Sequence, residues 1–159
     1  MSVRQVIRQR HIHLIETTLE IMDNILKNVS QERATTLRDG EDGWTVLEVV
    51  CHLRDFDRIF HERAVMIVSQ EYPQLPAYDH EAMAIENNYN SQNLKVVYNE
   101  LAESRERFVG FFEDLTEDQW ERAGVHPERG HFTLLDAIMQ VTTHDTNHIE
   151  QMTRILCQS

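Results

Sequence analysis

Two histidines lie four residues apart in His144-Asp145-Thr146-Asn147-His148, inside a segment that reads as helix from near Thr133 almost to the C-terminus. On a helix this spacing puts both imidazoles on one face, about 40° apart around the axis and with Cβ atoms roughly 6 Å apart. Two neutral imidazoles so placed can share one metal ion. A third histidine, His52, stands at the border of the apolar face of another helical segment far upstream. Three protein ligands with coordination positions left open is the arrangement of a catalytic rather than a structural metal site. The spacing alone equally suits a hydrogen-bonded histidine pair near the helix surface. Asp55 and Asp145 are the carboxylates placed to orient a ligating ring by accepting its distal N–H. Each fits a solvated helix carboxylate as well.

Other chemistries fit less well. A zinc-protease HExxH motif needs glutamate after the first histidine, and here that residue is Asp145, one carbon shorter. A di-iron bundle needs two inward Glu-x-x-His pairs, and the one such pair, Glu128 to His131, falls in a stretch read as loop. Cys51 is next to His52 in sequence but about 100° away around a helix, so a Cys–His nucleophile is disfavoured and a small core residue expected.

Four long amphipathic segments must position these groups. The first runs from about Arg4 to Asn28, with Ile7, His11, Leu14, Thr18, Ile21 and Ile25 along its stripe. His11 reads as a partly buried, hydrogen-bonded histidine. The second, Val46 to Ser69, opens with the capping box Thr45-Val46-Leu47-Glu48 and carries His52. The third, about Asn93 to Asp114, has Ser104 as the small polar residue on an otherwise apolar face. That serine either leaves room for a site or simply packs. The fourth begins at Thr133, capped with Asp136, and turns Leu134, Ile138, Val141, His148, Met152 and Ile155 inward.

The connections read differently. Ser30 to Trp44 is a polar, glycine-containing link, Thr116-Glu117-Asp118-Gln119 opens a short helix around Trp120, and Gly124 to His131 reads as loop. Gln70 to Asn90 is long enough to run back along the bundle, since 24 helical residues span about 36 Å and this link could reach about 70 Å. It is read as a crossover, with a short helix starting near Asp79, that partly covers the site. The expected fold is therefore all-α, a single four-helix domain over residues 1–159 with a long crossover between its second and third long helices.

Composition narrows the class of function. A formal charge of −12 argues against nucleic acid or an anionic membrane as partner through the overall field. There is no apolar stretch of spanning length, no signal-peptide pattern, and two cysteines without scaffold spacing, which together suit the reducing cytoplasm.

Taken in order, Trp44-Thr45-Val46-Leu47-Glu48, then Val50-Cys51-His52-Leu53-Arg54-Asp55 with Asp57 and Arg63, the Trp120 region with His126-Pro127, Gly130 and Thr133-Leu134, and His144-Asp145, His148-Ile149 and Gln151 resemble the DinB-like (YfiT-like) family of metal-dependent proteins. The resemblance implies a four-helix bundle with an unusual second-to-third connection. It implies a divalent metal, nickel or zinc foremost with iron and manganese compatible, held by His52, His144 and His148. It also implies a homodimer. Characterised relatives are transferases and isomerases that use low-molecular-weight thiols, so the expected function is a thiol transferase or hydrolase in which a metal-activated thiol or water attacks an electrophilic small molecule. A non-catalytic metal or small-molecule binding module is the alternative. Tyr78, Tyr89, His126 and His131 are the residues expected to line the entrance.

Overall fold

The computed structural model describes residues 1–158. Four long helices dominate it: α1 (Val3–Leu26), α3 (Val46–Ser69), α5 (Leu94–Glu113) and α7 (Leu134–Leu156), with the short helices α2 (Gln31–Thr36), α4 (His80–Glu86) and α6 (Glu117–Trp120) in the connections. This is the expected four-helix bundle. Each long helix starts on a side-chain cap. Ser2, Thr45 and Thr133 form reciprocal capping boxes with Gln5, Glu48 and Asp136, and Asn93 accepts from the Val96 amide.

Contacts along the helices fix their directions. Arg54 meets Glu100, Asp57 meets Ser104 and Arg105, and His61 stacks on Phe108, so α3 and α5 run parallel. His11 meets Thr142 and Thr18 meets Asp145, so α1 and α7 are also parallel. His52 faces His148 while Phe60 faces His144, which makes α3 antiparallel to α7. Parallel α3 and α5 require the chain between them to return the full length of a helix, as the crossover reading anticipated.

The core has two halves. Near one end Met22, Leu47, Val50, Val97, Leu101, Met152 and Ile155 pack together, and near the other Ile15, Phe60, Ile67, Phe108, Phe112, Leu134, Ile138 and Val141 do so. Between them lies a buried polar layer. The Arg105 guanidinium of α5 bonds Asp57 of α3 at 2.6 Å, both carboxylate oxygens of Asp145 of α7 at 2.7 and 3.0 Å, and the Ile15 carbonyl of α1 at 2.7 Å. Ser104 donates to the other Asp57 oxygen at 2.6 Å, and Thr18 donates to Asp145. Burial by itself would lower the Arg105 pKa, but the charges of Asp145 and Asp57 outweigh that and raise it. Ser104 thus packs as a hydrogen-bond donor rather than opening space.

Two connections differ from expectation. The polar link after α1 contains the helix α2, whose six residues are too few for periodicity to reveal. The stretch read as loop before α7 is a hairpin of β1 (Ala123–His126) and β2 (Gly130–Thr133), antiparallel with His126 opposite Gly130. Four-residue strands likewise carry too little alternation to be read. The crossover docks on this hairpin: the Leu75 amide donates to the Val125 carbonyl at 2.9 Å and the Val125 amide to the Pro73 carbonyl at 2.8 Å. Gly124 permits the approach, because a Cβ there would lie 2.9 Å from the Pro73 carbonyl oxygen. Among the described residues no helix is long and apolar enough to cross a membrane.

Replacing Arg105 with alanine leaves two buried carboxylates unpaired and is expected to lower unfolding free energy by about 3–5 kcal/mol. Arg4→Ala, which breaks an exposed pair with Glu121, is expected to cost less than about 1 kcal/mol. Urea unfolding of both variants checks the contrast, and equal midpoints would refute it.

Candidate metal centre

His52 stands two turns into α3, and His144 and His148 lie one turn apart on the facing side of α7. One ring nitrogen from each lies within 4.8 Å of the other two. The His52 and His144 Nε2 atoms face each other at 2.9 Å, and the three ring centroids are 4.5 to 4.9 Å apart. The expected triad is brought together.

Its electrostatics favour free lone pairs. Burial, then the His148 and His80 charges, push the His52 pKa down to about 3. Burial and the neighbouring histidines also hold His144 well below the ordinary value. His148 is lowered by burial, partly offset by its bond to Gln151 and by Asp145. All three rings are therefore neutral near pH 7, the form that ligates metals. The His52 Nδ1 is buried with no hydrogen-bond partner. A cluster of neutral imidazoles whose nitrogens face one another across a shared point, with no acid between them, matches the donor set for a divalent ion.

The orienting groups are not the carboxylates expected. Asp145 is consumed by Arg105 and Thr18, on the side of α7 away from the triad. Asp55 accepts from Tyr89 Oη at 2.6 Å and from Arg54 Nε at 2.8 Å. The residue that does orient a triad ring is Gln151. Its Oε1 lies 2.8 Å from His148 Nδ1, and its Nε2 donates to Asp39 at 3.1 Å; Asp39 in turn pairs with Arg154 at 2.8 Å. Accepting at Oε1 places the proton on Nδ1 and leaves the His148 Nε2 lone pair free. The spacing i to i+3 on α7 was a readable signal for this pair, but the link to Asp39 crosses most of the chain.

The triad forms the floor of a cleft of about 560 Å³. Trp44, Phe56 and Phe60 supply its apolar wall, and Ala77, Tyr78 and His80 from the crossover and α4 close one side. The crossover therefore borders the site as expected. Of the four residues expected at the entrance, Tyr78 and His126 line the cleft. Tyr89 does not: it is buried in the core beside Val50, its hydroxyl turned to Asp55. His131 lies on the far side of the hairpin, against the Tyr72 hydroxyl at 3.1 Å. Arg63, His80 and Gln151 are cleft residues to which the sequence assigned no role there. Cys51 is a core residue: burial pushes its thiol pKa up to about 12, and its Sγ lies 3.6 Å from the Tyr89 carbonyl.

Neutral triad histidines give a signed pH dependence. Below about pH 6.5 the unfolded chain takes up protons that the metal-free native chain does not. Native stability should therefore fall with pH from there toward about 3, by about 1.4 kcal/mol per unit for each histidine held neutral. Urea midpoints of metal-free protein should drop between about pH 7 and pH 5, more steeply than those of His52→Gln. A flat profile would contradict the burial of neutral imidazoles.

The DinB superfamily profile matches residues 14–152. A provisionally named metal-dependent hydrolase of Oceanobacillus iheyensis is 25% identical over 155 residues, covering 97% of this chain and 88% of that protein. A Bacillus subtilis protein with the same provisional name, YfiT, is 29% identical over 122 residues, covering 76% and 67%. The solved structure of Bacillus subtilis YfiT, described as a probable metal-dependent hydrolase with an unusual four-helix bundle topology, aligns at a TM-score of 0.87 with 24% identity, covering 99% of this chain and 89% of that one. A mycothiol-dependent maleylpyruvate isomerase aligns at a TM-score of 0.78 with 14% identity, over 96% of this chain and 63% of that one.

Proposed function

The chain belongs to the DinB superfamily, and on that premise we propose that His52, His144 and His148 hold one divalent metal ion and that the protein is a metal-dependent enzyme of small molecules. The convergence of three neutral imidazoles on one point at the floor of a cleft is the observation that carries this reading. The curated relatives' names, which call them metal-dependent hydrolases, support it. A bound divalent ion lowers the pKa of a thiol or water at an open coordination position, so that a nucleophile exists at neutral pH.

The residues of the chain supply the rest. Gln151 fixes the His148 tautomer. Phe56, Phe60 and Trp44 exclude water from one side of the triad and offer apolar surface to a substrate. His80, whose ring centroid lies 5.9 Å from that of His52, adds a fourth imidazole beside the triad at the cleft wall formed by the crossover and α4. The reaction class that fits is transfer of a low-molecular-weight thiol, or of water, to an electrophilic carbon. The mycothiol dependence of the isomerase that shares the fold supports the thiol version. One observation favours a binding module without turnover: both carboxylates expected beside the triad, Asp55 and Asp145, are tied to arginines.

Untagged protein should purify with stoichiometric nickel or zinc, and His52→Ala and His144→Ala should lose it, as read by elemental analysis. Gln151→Ala should bind the same metal about 10- to 100-fold more weakly by competition with a chelating dye. Wild type that retains no metal and takes none up would sink the metal reading. Metal-loaded protein that accelerates neither conjugation of monochlorobimane with a panel of cellular thiols nor ester hydrolysis would leave the binding module.

A further inference from the structure

Four arginines are buried among the described residues: Arg8, Arg54, Arg63 and Arg105. Arg8 pairs with Glu117 and Glu121, Arg54 with Asp55 and Glu100, and Arg105 with Asp57 and Asp145. Arg63, 5% exposed, forms no ion pair with any described carboxylate. Its Nη1 lies 3.1 Å from His126 Nε2, its Nη2 donates to the Pro76 carbonyl, and its guanidinium carbon sits 5.5 Å from the centre of the Tyr78 ring. All three partners are neutral. Its Nε is buried without any partner. A desolvated guanidinium without a counter-ion is costly, and its rigid fork of donors matches a carboxylate.

Arg63 is also the buried arginine that lines the cleft. It follows His52 on α3 by three turns, a rise of about 16 Å. Phe56 and Phe60 line the cleft in between, each in ring contact with His144. The cleft thus offers the triad, then an apolar wall, then a cation in no ion pair. No cleft carboxylate among the described residues forms an ion pair with that cation, although the Glu128 charge reaches it and the Arg129 charge opposes it. Asp39 is bound to Arg154, Glu81 accepts from the Trp44 indole at 3.3 Å, and neither Asp42 nor Glu128 forms an ion pair with it.

We propose that Arg63 anchors the carboxylate of an apolar-bodied small molecule whose other end reaches the histidine triad. This rests on the small-molecule reading of the cleft and names the class of ligand. The fork of Arg63 can receive the carboxylate without breaking an ion pair, since Glu128 acts on it only at a distance. Pro76, which accepts an N–H of Nη2, and His126, whose Nε2 lies against Nη1 while its Nδ1 accepts from the Glu128 amide at 3.2 Å, hold the guanidinium in place. The carboxylate belongs either to the electrophile or to the thiol, and the chemistry at Arg63 is the same for both.

Metal-free protein is the material for the test, so that no ion at the triad can capture the carboxylate. The probes are 4-phenylbutyrate, its neutral amide, and glutathione. The readout is the NMR signal of the Arg63 Nε–H, assigned by its loss in Arg63→Lys. Phenylbutyrate or glutathione should shift that signal saturably, and the amide should not. The tighter of the two identifies the electrophile or the thiol as the carrier. Arg63→Gln should stay folded and weaken binding by about tenfold or more. No saturable shift with either carboxylate, an equal shift with the amide, or unchanged binding by Arg63→Gln overturns the proposal. Should Arg63→Gln not fold, the wild-type titration decides alone. Carboxylate binding without metal-dependent turnover would sink only the enzyme reading, and turnover without carboxylate binding only this one.

Discussion

One guanidinium holds the four long helices in register. Arg105 reaches α3 through Asp57, α7 through Asp145 and α1 through the Ile15 carbonyl, from its own place on α5. Apolar contacts alone tolerate sliding of one helix along another, because leucine and valine pack in many positions. A charged layer does not, since a shift of one turn would bury the same charges unpaired at a cost of several kcal/mol. The layer falls between Ile15 and Met22 on α1, Leu53 and Phe60 on α3, Leu101 and Phe108 on α5, and Val141 and Met152 on α7. It therefore separates the two apolar halves at a common height. Net stabilisation from such a triad is small compared with burying apolar groups of the same volume. Its effect is on which helix alignment is allowed.

The height it sets is also the height of the triad. Asp145 follows His144 directly on α7, and Asp57 lies just over one turn beyond His52 on α3. Fixing Asp57 and Asp145 on one guanidinium thus fixes the distance between the faces that carry His52 and His144. Arg105 contributes one positive charge and the two aspartates two negative charges, so the layer carries one negative charge beneath the imidazoles. Its two signs act differently on the triad: Arg105 lowers the His144 pKa while Asp145 raises that of His148.

Much of this was legible in residue order. The long helices were readable because twenty or more residues give the 3.6-residue period time to show and because threonine caps mark two of the starts. The triad was readable because His144 and His148 repeat at helical spacing and His52 sits on a stripe border. The polar layer was half visible: Thr18 and Ser104 interrupt apolar faces and Asp145 stood out beside His144, but nothing in the sequence set Arg105 apart as buried, since charge on a helix usually faces water. Its burial depends on three helices meeting at one height, which no single helix announces. The same limit explains why Asp145 and Asp55 were expected beside the histidines. Asp145, next to His144 in sequence, is turned about 100° around the helix toward another partner, whereas Asp55, three residues past His52 and on nearly the same face, is taken by Tyr89 and Arg54. The crossover's ring residues, Tyr78 and Tyr89, could not be sorted for a related reason. Tyr78 follows the segment that docks on Val125 through Pro73 and Leu75 and borders the cleft, while Tyr89 is drawn into the core by Asp55.

The contrast between Arg105 and Arg63 shows how the fold divides its buried charge. Both guanidinium groups are withdrawn from water, and both are needed to join separate elements. Arg105 is saturated by ionic partners, so it can only hold. Arg63 joins α3 to the crossover and the hairpin through contacts with a carbonyl and an imidazole, neither of which carries a charge. Placing the neutralised cation between the apolar halves and the uncancelled one in the cleft confines the unbalanced field to the surface where a ligand arrives. Field in a low-dielectric cleft is screened far less than at an open surface. An overall charge of −12 would otherwise repel small anions at long range. A local cation inside the cleft is what lets an acidic protein of this kind accept one.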